Sequence, residues 1–147
     1  MKNSIEIRKL TEADVDAVAE LERANFSHPW KEGDFADLVD KPDRGCVVAT
    51  DGDSIIGCVV YRNIVGDVDI TNVQVARGCR RQGIARAMLE QAITEARAIG
   101  GQRFTLEVRA SNVPAISLYE SLGFTREGLR RNFYEHPTED AVIMWLI

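Results

Sequence analysis

Three β-rich runs, Cys46 to Thr50, Ile55 to Ile64 and Val68 to Val75, follow one another with only short turns at Asp51-Gly52-Asp53-Ser54 and Gly66-Asp67 between them. Connections that short return each strand beside its predecessor, so the runs form an antiparallel meander. The period then changes. Ala85, Met88, Leu89, Ala92, Ile93 and Ala96 recur at helical spacing until Gly100-Gly101, and Phe104, Leu106 and Val108 alternate as a strand again. A strand reached across a helix joins its sheet in parallel. A chain that meets both demands is an α/β domain with a mixed parallel and antiparallel sheet flanked by helices.

The flanks extend the same plan. Ser4 to Lys9 alternates around Ile5 and Ile7 as a half-buried strand does. Thr11 supplies a cap for a helix with Asp14 in its first turn and Val15, Val18, Ala19 and Phe26 on one face. Pro29 ends it, and a shorter helix follows from Lys31 to Val39. Further on, Ser111 or Asn112 caps a short helix with Pro114 in its first turn and Gly123 beyond its last. Phe124 to Tyr134 and Ala141 to Ile147 are strands about a turn holding His136-Pro137. The predicted order is β-α-α-β-β-β-α-β-α-β-β. Within the third run the apolar positions slip from Val68 and Ile70 to Val73 and Val75, a change of phase that signals a local irregularity. No linker, repeat or low-complexity stretch divides the chain, so residues 1 to 147 are read as one domain, long enough to bury roughly 70% of its unfolded surface.

Charge narrows the ligand. The 18 basic and 23 acidic side chains give a net charge of −5, and they are unevenly spread. Residues 1 to 76 hold 15 acids and 8 bases, while Arg77, Arg80, Arg81 and Arg86 crowd into ten positions with no acid among them. One compact cationic spot on an acidic protein fits a small polyanion; a nucleic acid needs a broad basic face, so no direct nucleic-acid partner is expected. No apolar run approaches the ~20 residues of a membrane span, and Met1-Lys2-Asn3 opens no signal region, which predicts a cytoplasmic protein without a membrane partner. Cys46, Cys58 and Cys79 are odd in number and form no C-x-x-C pair; with His28 and His136 the only histidines, no cluster has ligand spacing, and no metal is expected. Nothing in the sequence sets an oligomeric state.

The sharpest local feature runs from Val73 to Arg86: a strand, a loop holding Gly78 and Gly83, and a helix start. Such a turn aims free backbone N–H groups and the positive end of a helix dipole at whatever lies in front, which suits a phosphate or pyrophosphate. Gly78 and Gly83 keep the glycine spacing of a Walker loop, but Ile84-Ala85 stands where Lys and Ser or Thr would hold the γ-phosphate and Mg²⁺. Triphosphate hydrolysis is therefore disfavoured.

Arg80-x-x-Gly83-x-Ala85 resembles the Q/R-x-x-G-x-G/A pyrophosphate loop of the GNAT acetyltransferase superfamily. Three further blocks follow in the family's order: Leu106 to Asn112, Ala115 to Phe124 and Arg130-Arg131-Asn132-Phe133-Tyr134. These resemble the RimI branch, bacterial enzymes that acetylate the N-terminal alanine of a small-subunit ribosomal protein, and the likeness extends from Ile5 to the C-terminus. It implies a single-domain GNAT fold, acetyl-CoA as co-substrate, and a protein or peptide N-terminus, that of a ribosomal protein, as partner. The resemblance assigns the cofactor to Val73, Gln74, Val75, Arg80, Arg81, Gln82, Gly83, Ile84, Ala85, Arg86 and Asn112. It makes Glu107 the general base, Tyr119 the proton donor to the departing sulfur, and Trp30 and Tyr134 acceptor contacts.

The residues also carry plainer readings. Glu107 lies opposite Leu106 and Val108, free to address a cleft or to continue a solvated face with Arg103, Thr105 and Arg109. Tyr119 sits between Leu118 and Leu122, where a core tyrosine is unsurprising. Asn112 is a ready helix cap, and Trp30 and Tyr134 equally suit a core. Phe133 stands where the branch has a first tyrosine, which removes one hydroxyl from the acceptor side. Acyl transfer to an amine needs a neutral amine, an oxyanion stabiliser and a proton for the thiolate. Direct transfer meets these needs without a cysteine, since Cys79 has no histidine near it in sequence to activate it. Two other functions stay open at this level: a GNAT enzyme for small amines or lysine side chains, and a CoA-binding regulatory module without turnover.

Overall fold

The computed structural model describes residues 5–80 and 82–147. The strands are β1 (Ile5–Lys9), β2 (Arg44–Asp51), β3 (Ser54–Ile64), β4 (Asp67–Val75), β5 (Arg103–Arg109), β6 (Thr125–Tyr134) and β7 (Glu139–Leu146). The helices are α1 (Val15–Asn25), α2 (Glu32–Ala36), α3 (Ile84–Ala98) and α4 (Val113–Ser121). All seven strands share one sheet, in the order β1-β2-β3-β4-β5-β7-β6. The pairing is antiparallel everywhere except between β4 and β5, where the α3 crossover requires parallel strands.

At β2 and β3 both faces of the sheet are buried under helices, which explains why these strands read as nearly continuous apolar runs, whereas β6 at the far edge is exposed along most of its length. On one face α3 lays Ile84, Met88, Leu89, Ala92, Ile93 and Ala96 against Val47, Val59 and Val68, and α4 adds Ile116 and Tyr119. Full burial of each large aliphatic side chain is worth ~1.5–3 kcal/mol, so α3 anchors this layer. Close approach is needed there: a Cβ on Gly57 would stand 2.8 Å from the Met88 methyl and 2.9 Å from the Gln74 carbonyl oxygen. On the other face α1 and α2 pack Val15, Val18, Ala19 and Phe35 against Cys46, Val48, Cys58 and Val60.

The phase slip in β4 is real. Val60 pairs with Asn72 and Tyr61 with Ile70, so Thr71 is an extra residue. Before it Val68 and Ile70 point to the α3 face; after it Val73 and Val75 do, and Asn72 and Gln74 turn toward α1.

Three expectations are corrected. The helix expected from Lys31 to Val39 is only Glu32–Ala36, because Leu38 N–H bonds back to Phe35 O and Val39 N–H to Ala36 O, a tightening into turns that ends at Asp40 with φ +55°. Phe26 does not continue the apolar face of α1; it lies past the helix end and is 43% exposed, while Glu22 takes the fourth buried position. Thr11 caps a 3-10 turn, Glu12–Asp14, that leads into α1. Ser4, placed at the start of the first strand, lies outside the described residues.

Candidate active site

Strands β4 and β5 pair over only three residues each, Asp67–Asp69 with Arg103–Thr105, and then part. Their divergence, widened by the bulge at Thr71, opens a cavity of about 600 Å³ between β4, the start of α3 and α4. Val73, Gln74, Val75, Arg80, Gly83, Ile84, Ala85, Arg86, Asn112 and Tyr119 all line it. Of the other residues assigned to the cofactor, Gln82 is exposed outside the cavity wall and Arg81 lies outside the described residues. Asn25, Phe26, Cys79, Pro114, Ala115 and Leu118 complete the lining; of these the sequence places only Phe26 near a ligand, as part of the acceptor-side loop with His28, Pro29 and Trp30 that resembles the F-x-W-like loop of the RimI branch.

One end of the cavity is built for an anion. After β4 the chain makes a short 3-10 turn, Arg77–Cys79, and reaches Gly83, which caps α3 at φ +76°. That left-handed conformation favours glycine, and a Cβ there would meet nothing within 4 Å, so the space in front is open. The first intrahelical bond of α3 runs from Ala87 N–H to Gly83 O. The N–H groups of Ile84, Ala85 and Arg86 are thus free of the helix ladder and carry its positive dipole end. Arg80 folds back to donate from Nε to Val75 O at 3.1 Å, which fixes its guanidinium beside the loop, and Arg86 donates to Ser121 Oγ on α4. Free amides plus guanidinium groups are the donor set a diphosphate needs.

Tyr119 lines the far wall of the cavity, whereas the other two titratable candidates on this side, Glu107 and Tyr134, are not among its lining residues. Glu107, in the middle of β5, is half-buried; its Oε2 is sealed from solvent and 2.7 Å from Arg130 Nε on β6, though at an angle that makes no aligned hydrogen bond. Arg130 reaches Glu107 from across β7, since β5 pairs with β7 and β7 with β6. Tyr119, on α4, is 6% exposed; burial, reinforced by Tyr134, pushes its hydroxyl well above the ordinary phenol range. Tyr134, at the end of β6, is also raised, first by burial and then by the charge of Glu107, while Arg109 opposes the shift with its guanidinium carbon 4.5 Å above the ring. Tyr134 thus feels the field of Glu107, and Tyr119 that of Tyr134. Asn112 does cap α4, its Oδ1 accepting from Ala115 N–H at 3.2 Å, while also facing the cavity.

Beside this end lies a polar network that sequence reasoning missed. Glu22 is 3% exposed, yet its carboxylate accepts from Gln74 Nε2 at 2.6 Å, Asn72 Nδ2 at 3.2 Å and the Trp30 N–H at 3.2 Å, with no cation among these partners. Asn25 Nδ2 closes the network on Gln74 Oε1 at 2.9 Å. The available signal was helical: Val15, Val18, Ala19 and Glu22 share one face of α1, and an acid on an apolar face must find buried donors. Trp30 does not line the cavity; its ring packs 5.3 Å from Phe35 under α2. The fold also brings His28 to Glu135 and His136, side chains that are far apart in sequence.

Known proteins resemble this chain in sequence and fold. The family model described as Acetyltransferase (GNAT) family matches residues 15–124. The chain is 35% identical to the ribosomal protein bS18-alanine N-acetyltransferase of Escherichia coli strain K12, over 95% of each chain. It is 33% identical to the N-alpha-acetyltransferase RimI of Mycobacterium tuberculosis, covering 95% of this chain and 90% of that one. The crystal structure of the ribosomal-protein-S18-alanine N-acetyltransferase from Escherichia coli superposes with a TM-score of 0.86 at 34% identity, covering 97% of this chain and 92% of that one. A cleft between parting parallel strands, an anion loop at the head of α3 and a family match over most of the sequence lead to one conclusion: this chain belongs to the acetyltransferase (GNAT) family.

Proposed function

We propose that this chain transfers the acetyl group of acetyl-CoA to the free α-amino group of a protein N-terminus, and that its acceptor is the N-terminal alanine of a ribosomal protein of the bS18 kind. The observation that carries the reading is the cavity beside the gap where β4 and β5 part, whose wall joins the free N–H groups opening α3 to the buried phenol of Tyr119. The names of the two relatives support the acceptor. A cytoplasmic location suits such an acceptor, and among the described residues no helix is long and apolar enough to cross a membrane.

The diphosphate of acetyl-CoA is assigned to the N–H groups opening α3 and to Arg80 and Arg86, with Arg81 and Gln82 completing the loop. Val73 to Val75 offer main-chain groups to the pantetheine arm, and Asn112 a side-chain amide. Bound there, acetyl-CoA supplies an activated acyl thioester. The remaining tasks fall to the protein. Glu107 draws a proton from the incoming α-ammonium, directly or through one water, so that a neutral amine attacks. Its ion pair with Arg130 holds the carboxylate in place on β5. Tyr119 remains protonated because burial disfavours its anion, and it releases that proton once charge develops on sulfur. Tyr134 borders the path of the acceptor backbone, whereas Trp30 acts by holding the α1–α2 loop in shape.

The test is a panel of peptides beginning with Ala, Ser, Met or an already acetylated residue, together with a polyamine, scored by mass shift and CoA release. Acetylation at the α-amino group of the alanine peptide is expected. Acetyl groups found only on lysine side chains or on the polyamine overturn the acceptor; binding of acetyl-CoA with no turnover on any substrate overturns the enzyme reading.

A further inference from the structure

We propose that His28, Glu135 and His136 form a zinc-type metal site that bridges the α1–α2 loop and the β6–β7 turn and acts as a brake on acceptor entry. The ligand atoms of the three side chains lie within 4.8 Å of one another, and all three residues are exposed. The imidazole centroids of His28 and His136 are 6.0 Å apart, and Glu135 Oε1 is 3.7 Å from His136 Nε2. Two imidazoles and one carboxylate are a borderline donor set that suits Zn²⁺, which leaves its fourth position to water; Mg²⁺ and Ca²⁺ prefer all-oxygen sites. Bonds of ~2.1 Å place tetrahedral ligand atoms roughly 3.4 Å apart, so closing on the ion shortens each separation by at most about 1.4 Å, within reach of exposed side chains.

The two sides of the site are held independently. Arg109 donates to Glu135 O at 2.9 Å and to Pro137 O at 3.0 Å, fixing the main chain on either side of His136. The His28 side is held by Glu22, which accepts from the Trp30 N–H two residues further on. Only the ion would join them. Phe26, two residues before His28, lines the cavity, and Tyr134, whose phenol acts on that of the cavity-lining Tyr119, immediately precedes Glu135, so the bridge would span the side of the cavity proposed for acceptor entry. The braking role rests on the proposed acceptor path; the site itself does not.

The experiment titrates chelator-treated full-length protein with Zn²⁺ by calorimetry, with Mg²⁺ as the hard-ion control, and follows hydrogen exchange in both loops. One Zn²⁺ per chain, no Mg²⁺ binding, and joint slowing of exchange in the two loops are expected. Either of two surface variants, His136→Ala or Glu135→Gln, should weaken Zn²⁺ at least about tenfold and abolish the slowing. In the peptide assay, Zn²⁺ should raise the KM for the alanine peptide, EDTA should reverse the effect, and the variants should need about tenfold more Zn²⁺ for the same inhibition. Unchanged Zn²⁺ affinity in both variants overturns the site. Binding without slowed exchange in the His28 loop overturns the bridge, and a bridge that leaves the peptide KM unmoved overturns the brake. Failure of every peptide to react instead strikes the proposed function and the brake with it, while the calorimetric and exchange results still decide the site and the bridge.

Discussion

The two ends of the cavity are made in different ways. The anion end comes from one continuous stretch, Val73 to Arg86, and much of what it offers is main chain: free amides at the start of α3 and a glycine at φ +76°. The side proposed for the acceptor is assembled from side chains on β5, α1, α4, β6 and two loops, which only the tertiary fold holds together. A backbone-built site tolerates side-chain change and is written locally. A side-chain-built site is sensitive to single substitutions and is written across the whole chain.

Substitutions can separate the two halves, and the largest effect should come from Glu107→Gln. Loss of a general base is expected to lower kcat by ~10²–10⁴-fold while acetyl-CoA affinity, measured by calorimetry, stays within about twofold. A parallel loss of acetyl-CoA affinity would erase the division between the ends. Next is Glu22→Ala, which strands the Asn72 and Gln74 amides. A stability loss of ~1–3 kcal/mol is expected by denaturant titration, and the acceptor KM should rise more than the acetyl-CoA KM. Arg80→Ala removes one charged donor from the anion end and should raise the acetyl-CoA KM about tenfold, the equivalent of ~1.4 kcal/mol, with the acceptor KM unmoved. The smallest effect belongs to Cys79→Ala. Its thiol borders the cavity without being needed for direct transfer, so turnover should change by less than about threefold, and no acetyl group should be found on the wild-type thiol by mass spectrometry.

How much was legible follows the same division. The meander, the crossover and the strand–loop–helix unit announce themselves through turns and periods confined to a few neighbouring residues, and even the bulge at Thr71 left its mark in the slip from Ile70 to Val73. Elsewhere local signals misled. Phe26 continued an apolar stripe along the sequence but not along the helix, which ends at Asn25 and sends the ring to the cavity. Trp30, expected as an acceptor contact, packs its ring against Phe35, five residues away, a neighbour that no local pattern announced. Glu22 with Gln74 and His28 with His136 are joined across 52 and 108 positions, and no local period encodes such pairs. Arg130 reaches Glu107 only because β7 lies between β5 and β6, an order that sequence succession does not specify.

The short seam between β4 and β5 gives the molecule a mechanical property. Three residue pairs, about 10 Å of strand, stitch a four-stranded half of the sheet to a three-stranded half. A cofactor that lies along the exposed edge of β4 would prolong that seam and serve as a splint between the halves. At a hundredfold excess over its dissociation constant it would add ~2.7 kcal/mol to the folded state. The melting temperature of this protein should then track how much acetyl-CoA surrounds it, making thermal resistance a gauge of acetyl supply.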